Sequence, residues 1–481
     1  MASKQPKGDI VTLLDLTPRD VQDGELFPLS HTKTWWLPDP ERRVRPFTLS
    51  VQQFPIRGPT AFGQRFTFDL GSVKCGDVLL STVLQVGLGH WLDDTSILRF
   101  ASTRYTYPTD SDPWYYASSL GSVLLQQAEL EIDGQTIETI DGDFVNVCSL
   151  LLQDVNTQFG FSVDGFGRTP FAELGQTPST NQFPTRNGTI FIPLMFFFQR
   201  VRLAEAFPLL ACREGTVRIH ITFRPFQEVV RRLKGTRASC DEVPLNQSIP
   251  ILSLLDNQIR VPISIPTSVA IPGFKNIQLI TYAAHTDGMI RQRILRNPFE
   301  ILNKNVQTFT FEEPLKYQVT ATSLDSVQVQ LPLEANHPMV EVLWFVRRKD
   351  VANNNEWNNY SSVLQAEYDP IFNPRQPLLQ SAKLQLNGID LISESEQWFR
   401  QHISLLHKGG IAAYESYVYG YSFAKHPQEH QPSGTANASR LQSLRLTLDV
   451  KTQHAWEVKV FVITCQWIRF QNGMANKMFT D

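Results

Sequence analysis

The feature that most constrains this chain is that it contains itself twice. Leu124–Val145 reads LLQQAELEIDGQTIETIDGDFV and Leu378–Phe399 reads LLQSAKLQLNGIDLISESEQWF. The opening Leu-Leu-Gln, the Ala, the next Leu and the Gly coincide at an offset of 254 residues. Each segment is an alternating strand, an Asp-Gly or Asn-Gly turn (Gly134, Gly388), and further alternation. That is a strong short-range hairpin signal. Other pairs follow in the same order: His31-Thr32 with His285-Thr286, Val51–Phe54 with Val306–Phe309, Phe62–Leu88 with Leu324–Arg348, and Ile190–Phe223 with Val418–Val450. A period this long exceeds any solenoid unit and means two copies of a whole domain.

Period-two alternation marks strands at Phe66–Leu70, Val217–Phe223, Val327–Leu331 and Leu444–Val450, each with one buried and one wetter face. Val340–Val346 and Ile190–Phe198 are almost continuously apolar and read as strands buried on both faces. Short helices are expected at 143–153 and 395–406, after each hairpin. Thirty-one Phe against 6 Met, with 26 Gly and 30 Pro, fit strands and turns better than helical bundles. The expected fold is all-β: two tandem eight-stranded jelly-roll sandwiches, with long loops and a few short helices. The expected division is an arm at 1–26, a first jelly roll at 27–225, a linker at 226–272 and a second jelly roll at 273–481. Long loops at 89–119, 154–187, 226–272 and 347–377 are expected to contact neighbouring subunits and decorate the outside.

Charge excludes some classes. The formal net charge is −3, and a duplex-coating protein needs a basic stripe. The nearest candidate, Arg231, Arg232, Lys234 and Arg237, reads as a solvated loop, so no direct nucleic-acid binding is expected. The five scattered cysteines form no CxxC pair and read as free, mostly buried thiols. The opening residues carry no signal-peptide core, and the longest apolar run falls far short of the ~20 residues that span a bilayer.

Tyr421–Gly434, containing His430-Gln431-Pro432-Ser433-Gly434 and continuing through Arg440, resembles a signature of the major capsid proteins of nucleocytoplasmic large DNA viruses. Asn336-His337-Pro338 and the strand after it are similar to a second-jelly-roll strand of that family, and Leu384–Gly388 to its hairpin. Ile192–Phe198 with Phe207–Leu210, and the ending Ile468–Met474, also resemble it. The resemblance runs from about His31 to the end. The first 26 residues and the length of 226–272 depart from it. It implies a structural subunit of the virion, made in the host cytoplasm. Three subunits would form a pseudo-hexagonal homotrimer touching neighbouring capsomers, minor capsid and penton proteins, and an inner membrane beneath the shell. The tandem sandwich also leaves open a carbohydrate-binding or carbohydrate-active protein.

No motif calls for a cofactor, a metal or catalysis. His426, Glu429 and His430 lack the HExxH order and are flanked by Pro427 and Pro432. The acidic pairs Asp93-Asp94, Asp141/Asp143 and Glu394/Glu396 read as solvated caps in turns rather than glycosidase carboxylates. Trp35-Trp36 and Trp114–Tyr116 read as interface or core aromatics. Asn187, Asn246, Asn359 and Asn437 open N-glycosylation triplets.

Overall fold

A computed structural model describes residues 47–58, 60–71, 75–88, 114–117, 120–152, 189–200, 206–232, 273–313, 326–364, 373–407, 417–429 and 432–478. The first sandwich pairs two antiparallel four-stranded sheets. One has the order β1 (Phe47–Pro55), β10 (Asn276–Thr286), β3 (Val78–Gly87), β7 (Thr189–Pro193). The other has the order β2 (Arg65–Leu70), β8 (Val217–Phe223), β5 (Leu125–Ile132), β6 (Gln135–Asp141). The second sandwich repeats this order. One sheet holds β11 (Phe299–Glu313), β19 (Trp456–Gln471), β13 (Pro338–Arg348) and β16 (Val418–Ser422). The other holds β12 (Val327–Pro332), β18 (Leu444–Val450), β14 (Leu379–Leu386) and β15 (Ile389–Ser395). Within each sandwich the first strand neighbours the eighth and the second neighbours the seventh, which is jelly-roll wiring. The chain is therefore a double jelly roll.

Side-chain alternation builds these sheets. β2 (RFTFDL) and β8 (VRIHITF) bury every second residue, and Phe66 packs edge-on against Phe68 and Phe223, at 5.9 and 4.8 Å between ring centroids. Both hairpin turns carry positive φ at two successive residues, Asp133-Gly134 (52° and 82°) and Asn387-Gly388 (53° and 80°). This is the primed turn whose twist matches the flanking strands. A short helix follows each hairpin, α2 (Gly142–Leu152) and α6 (Glu396–His407). Before α2 come β4 (Trp114–Tyr116) and α1 (Leu120–Leu124). Among the described residues there are also two helical turns, α3 (Phe197–Arg200) and α4 (Phe226–Val229), and the helix α5 (Gly288–Arg296).

Four of the sequence pairs join equivalent elements: β1 with β11, β2–β3 with β12–β13, β5–β6–α2 with β14–β15–α6, and β7–β8 with β16–β18. In the fifth, His31-Thr32 lies outside the described residues and His285-Thr286 ends β10.

Three expectations change. The expected start of the second domain at 273 precedes β10, yet β10 hydrogen-bonds to β1 on one side and β3 on the other. An eighth strand finds its partners in the first and third, however long the intervening chain. Ile190–Phe198 is not one strand: β7 ends at Pro193 and Phe197 begins α3. Proline removes the N–H that the ladder needs. Arg231 and Arg232 lie not in a loop but on β9 (Val230–Arg232), paired with β4; Lys234 and Arg237 lie outside the described residues. The described cysteines, 75, 148, 212 and 465, are free and buried. Burial pushes the Cys212 thiol up to about 12, which leaves it unreactive.

Phe66→Ala should lower stability by about 3–5 kcal/mol, the usual cost of emptying a buried Phe site. A fall in the thermal midpoint at unchanged far-ultraviolet dichroism would check it.

Candidate functional site: the junction between the sandwiches and the signature loop

The region richest in unusual side chains is where the first sandwich meets the second. Helix α2 begins under Asp141, whose Oδ1 accepts from Phe144 N at 2.7 Å. Asp141 is thus a helix cap, as its turn position implied. Asp143 is not solvated. It is buried and accepts from Arg347 Nη1 of β13 at 2.9 Å and Lys459 Nζ of β19 at 2.8 Å. Lys459 also reaches Asp141 at 2.5 Å, and Arg347 reaches Glu457 at 2.5 Å. Burial pushes the Asp143 carboxyl up, but Arg347 and then Lys459 outweigh it and hold the group well below the usual carboxylate range. Burial works against the charge of Lys459 too, and Asp143 and Asp141 more than restore it.

Apolar and aromatic contacts seal these charges. Phe144 of α2 meets Phe461 of β19 at 5.2 Å, and Arg200 of α3 lies 5.3 Å over the Phe144 ring. Arg200 pairs with Glu138 of β6 and donates to Lys304 O of β11 at 2.6 Å. A cavity of about 30 Å³ remains between Phe144, Cys148 and Leu151 on one side and Lys304, His407 and Ile463 on the other.

The signature loop closes the same junction. Lys304 Nζ donates to Pro427 O at 2.7 Å and to Glu429 O. His407, the last residue of α6, pairs with Glu341 of β13 at 2.7 Å, and Gln428 lies 3.0 Å from its other ring nitrogen. Ser433 Oγ accepts from His426 N at 2.8 Å. Gly434 sits at φ +147°, and a Cβ there would come 2.4 Å from Phe423 O, a backbone atom. Pro432 is exposed; His430 and Gln431 lie outside the described residues.

The structure brings the second motif to the end of this loop. Pro338 and Met339 pair with Asn437 and Ala436, His337 N donates to Ser439 Oγ at 2.8 Å, and Asn336 exchanges two hydrogen bonds with the Gln307 side chain. Gly134 and Gly388 belong to the hairpin turns and join neither group. Asn359 commits its amide nitrogen to Glu356 and Val363, while Asn437 is exposed and accepts from Ser439 N through Oδ1. Asn187, Asn246, Asp93-Asp94 and Trp35-Trp36 lie outside the described residues.

The loop after β13 makes hydrogen bonds to the first sandwich. Asn355 Nδ2, Trp357 Nε1 and Asn358 Nδ2 donate to Gln227 O, Glu228 O and Ser122 Oγ of the first sandwich. Its described part clasps its own chain. Sequence reasoning missed the roles of Asp143, Arg347 and Lys459. One signal was available: at the offset of 254, the second copy has neutral Gln397 where the first has Asp143.

Comparison with known proteins followed the same division. Residues 39–248 match the family model described as "Major capsid protein N-terminus", and residues 291–476 match "Large eukaryotic DNA virus major capsid protein". The major capsid protein of Pyramimonas orientalis virus is 26% identical, covering 75% of this chain and 78% of its own. That of Paramecium bursaria Chlorella virus 1 is 23% identical, covering 85% and 81%. Among solved structures, PBCV-1 VP54, fitted into a reconstruction of the virophage Sputnik, superposes at TM-score 0.66 and 19% identity over 92% of this chain and 98% of that one. The Faustovirus major capsid protein superposes at 0.63 and 10% identity over 96% of each.

Asp143 has a folded value below its unfolded one of about 4. It therefore contributes stability above that pH, and the contribution is lost as pH falls toward the folded value. Asp143→Asn should cost about 1–3 kcal/mol at pH 7, because it removes the carboxylate that two buried cations share and leaves Lys459 with Asp141 and Arg347 with Glu457. Its stability should then fall less steeply than the wild type's on acidification below about pH 4, as read by urea unfolding at several pH values. Gly434→Ala should destabilise by roughly 1–3 kcal/mol; an unchanged melting curve would contradict the crowding at Phe423 O.

Proposed function

Since the chain belongs to the family of large eukaryotic DNA virus major capsid proteins, we propose that three copies close into a pseudo-hexagonal capsomer that tiles the shell. The observation that carries this reading is the duplicated strand order in one chain. Three chains place six similar sandwiches around a three-fold axis, giving an outline that packs with six neighbours. Two sandwiches that differ in side chains make non-identical contacts with those neighbours, which six identical sandwiches could not. Modest interfaces, many times repeated, then hold the shell by avidity.

The Asp143 ion group and the signature loop serve this role by fixing the two sandwiches in one orientation. Pro432, Ser433, Gly434 and Asn336-His337-Pro338 act as structural residues that hold the loop in place, and the protein works as a building block rather than a catalyst. It is made in the host cytoplasm and ends in the virion. Its partners in this reading are neighbouring capsomers, minor capsid and penton proteins, and an inner membrane beneath the shell.

The solution mass of the full chain by light scattering, with negative-stain images, tests the reading. A species of about three times 54.7 kDa with a hexagonal outline is expected. A persistent monomer without such particles would overturn the self-closing trimer.

A further inference from the structure

Helix α5 joins the last strand of the first sandwich to the first strand of the second, and none of its residues is buried. It is held firmly all the same. Asp287 caps it by accepting from Ile290 N at 2.9 Å, Arg291 lies 3.5 Å from the buried Asp77, and Ile294 packs on the core. Met289, Gln292, Arg293 and Arg296 follow the i, i+3, i+4, i+7 spacing that puts them on one face of a helix. All four are exposed, Met289 by 64%.

Strand directions place this face. β10 ends at Thr286 opposite Phe47, where β1 starts, and β11 starts at Phe299 opposite Phe470, near the end of β19. Helix α5 lies between them, at that end of both sandwiches. The stretches expected as long outer loops meet the strands at the far end, beside Gly87, Thr189, Asn276 and Arg348. The end with α5 is thus turned away from those loops. Met474, 49% exposed, stands there too, on β20 (Met474–Lys477), which pairs with the end of β19.

Charge singles the helix out in a chain of net charge −3. At this end Glu214 pairs with Arg213, Glu300 with Arg469 and Asp77 with Arg291. Arg293 and Arg296, both in the last turn of α5, make no ion pair among the described residues. Cations suit the carbonyl end of a helix, which accounts for the arginines but not for the exposed methionine beside them. A convex face with one flexible apolar side chain between two guanidiniums offers no groove to a peptide. It fits a flat, fluid, anionic surface, where the methionine enters the acyl boundary and the arginines meet phosphates.

We propose that the outward face of α5 binds the headgroups of an anionic lipid bilayer. This deepens, and rests on, the reading of a shell with a membrane on its inner side. One short helix binds weakly, and the many copies in a shell multiply the attraction. The helix is already formed and anchored, so binding orders no new backbone.

The test mixes the full chain with phosphatidylcholine vesicles, with and without phosphatidylserine, and reads the bound fraction by flotation at two salt concentrations. The wild type should float with the anionic vesicles at low salt, much less at high salt, and not with the neutral ones. Arg293→Gln/Arg296→Gln should bind at least about tenfold more weakly, since each basic side chain near an anionic surface counts for about fivefold. Lys275→Gln/Arg445→Gln removes the same charge from exposed positions away from α5 and should bind as the wild type does. Should the arginine variant fail to fold, Met289→Ser keeps the charge and should also weaken binding. A wild type that ignores the anionic vesicles, or a folded α5 variant that binds them as well as the wild type, overturns the proposal. Light scattering of the same samples reads the capsomer separately: a trimer that ignores the vesicles overturns the lipid face alone.

Discussion

The buried contact of Asp143 with Arg347 and Lys459 ties the architecture together, because it is made by both sandwiches and by neither alone. A jelly roll buries the space between its two sheets and leaves its outward faces to water or to a neighbour. In this chain one such face is covered by the other sandwich. Burying three charged groups there has a large desolvation cost, repaid only with full pairing in good geometry. Arg347 meets Asp143, Glu457 and the Trp357 carbonyl, which satisfies most of its donors. Such a cluster tolerates little sliding. It sets the relative orientation of the two sandwiches more than it adds to their net stability.

The loop that resembles a capsid signature takes its meaning from the same place. Its carbonyls receive Lys304, its Gln428 lies against His407, and its end pairs with the start of β13. These are anchors to the two strands and the helix that line the junction. Among the described residues of the loop, Pro427 O, Glu429 O and the Gln428 side chain are bonded to Lys304 and His407, which holds the loop in place.

Duplication explains why the two copies have diverged unevenly. Positions facing each sandwich's own core stay apolar in both copies, as Leu130 and Leu384 do, both fully buried. Positions facing outward follow what covers them. In the first copy α2 carries Asp143 and faces cations; in the second α6 carries Gln397 and an exposed Leu405. The same fold thus presents a charged, permanent contact at one site and an apolar, bare one at the other.

The sequence by itself determined the strands, the hairpins and their duplication, because period-two burial and Asn-Gly turns are local properties of neighbouring residues. The alternation in β2, β8, β12 and β18, the paired turns at Gly134 and Gly388 and the short helices after them were all legible there. The tertiary structure alone decided which strands pair across great sequence distance. β10 follows a long connection, yet it closes the first sandwich between β1 and β3. It also decided that Asp143, read as a solvated turn residue, is a buried partner of two cations more than two hundred residues away. Burial of a charge depends on what another part of the chain brings to it. No pattern within a short window of sequence carries that information.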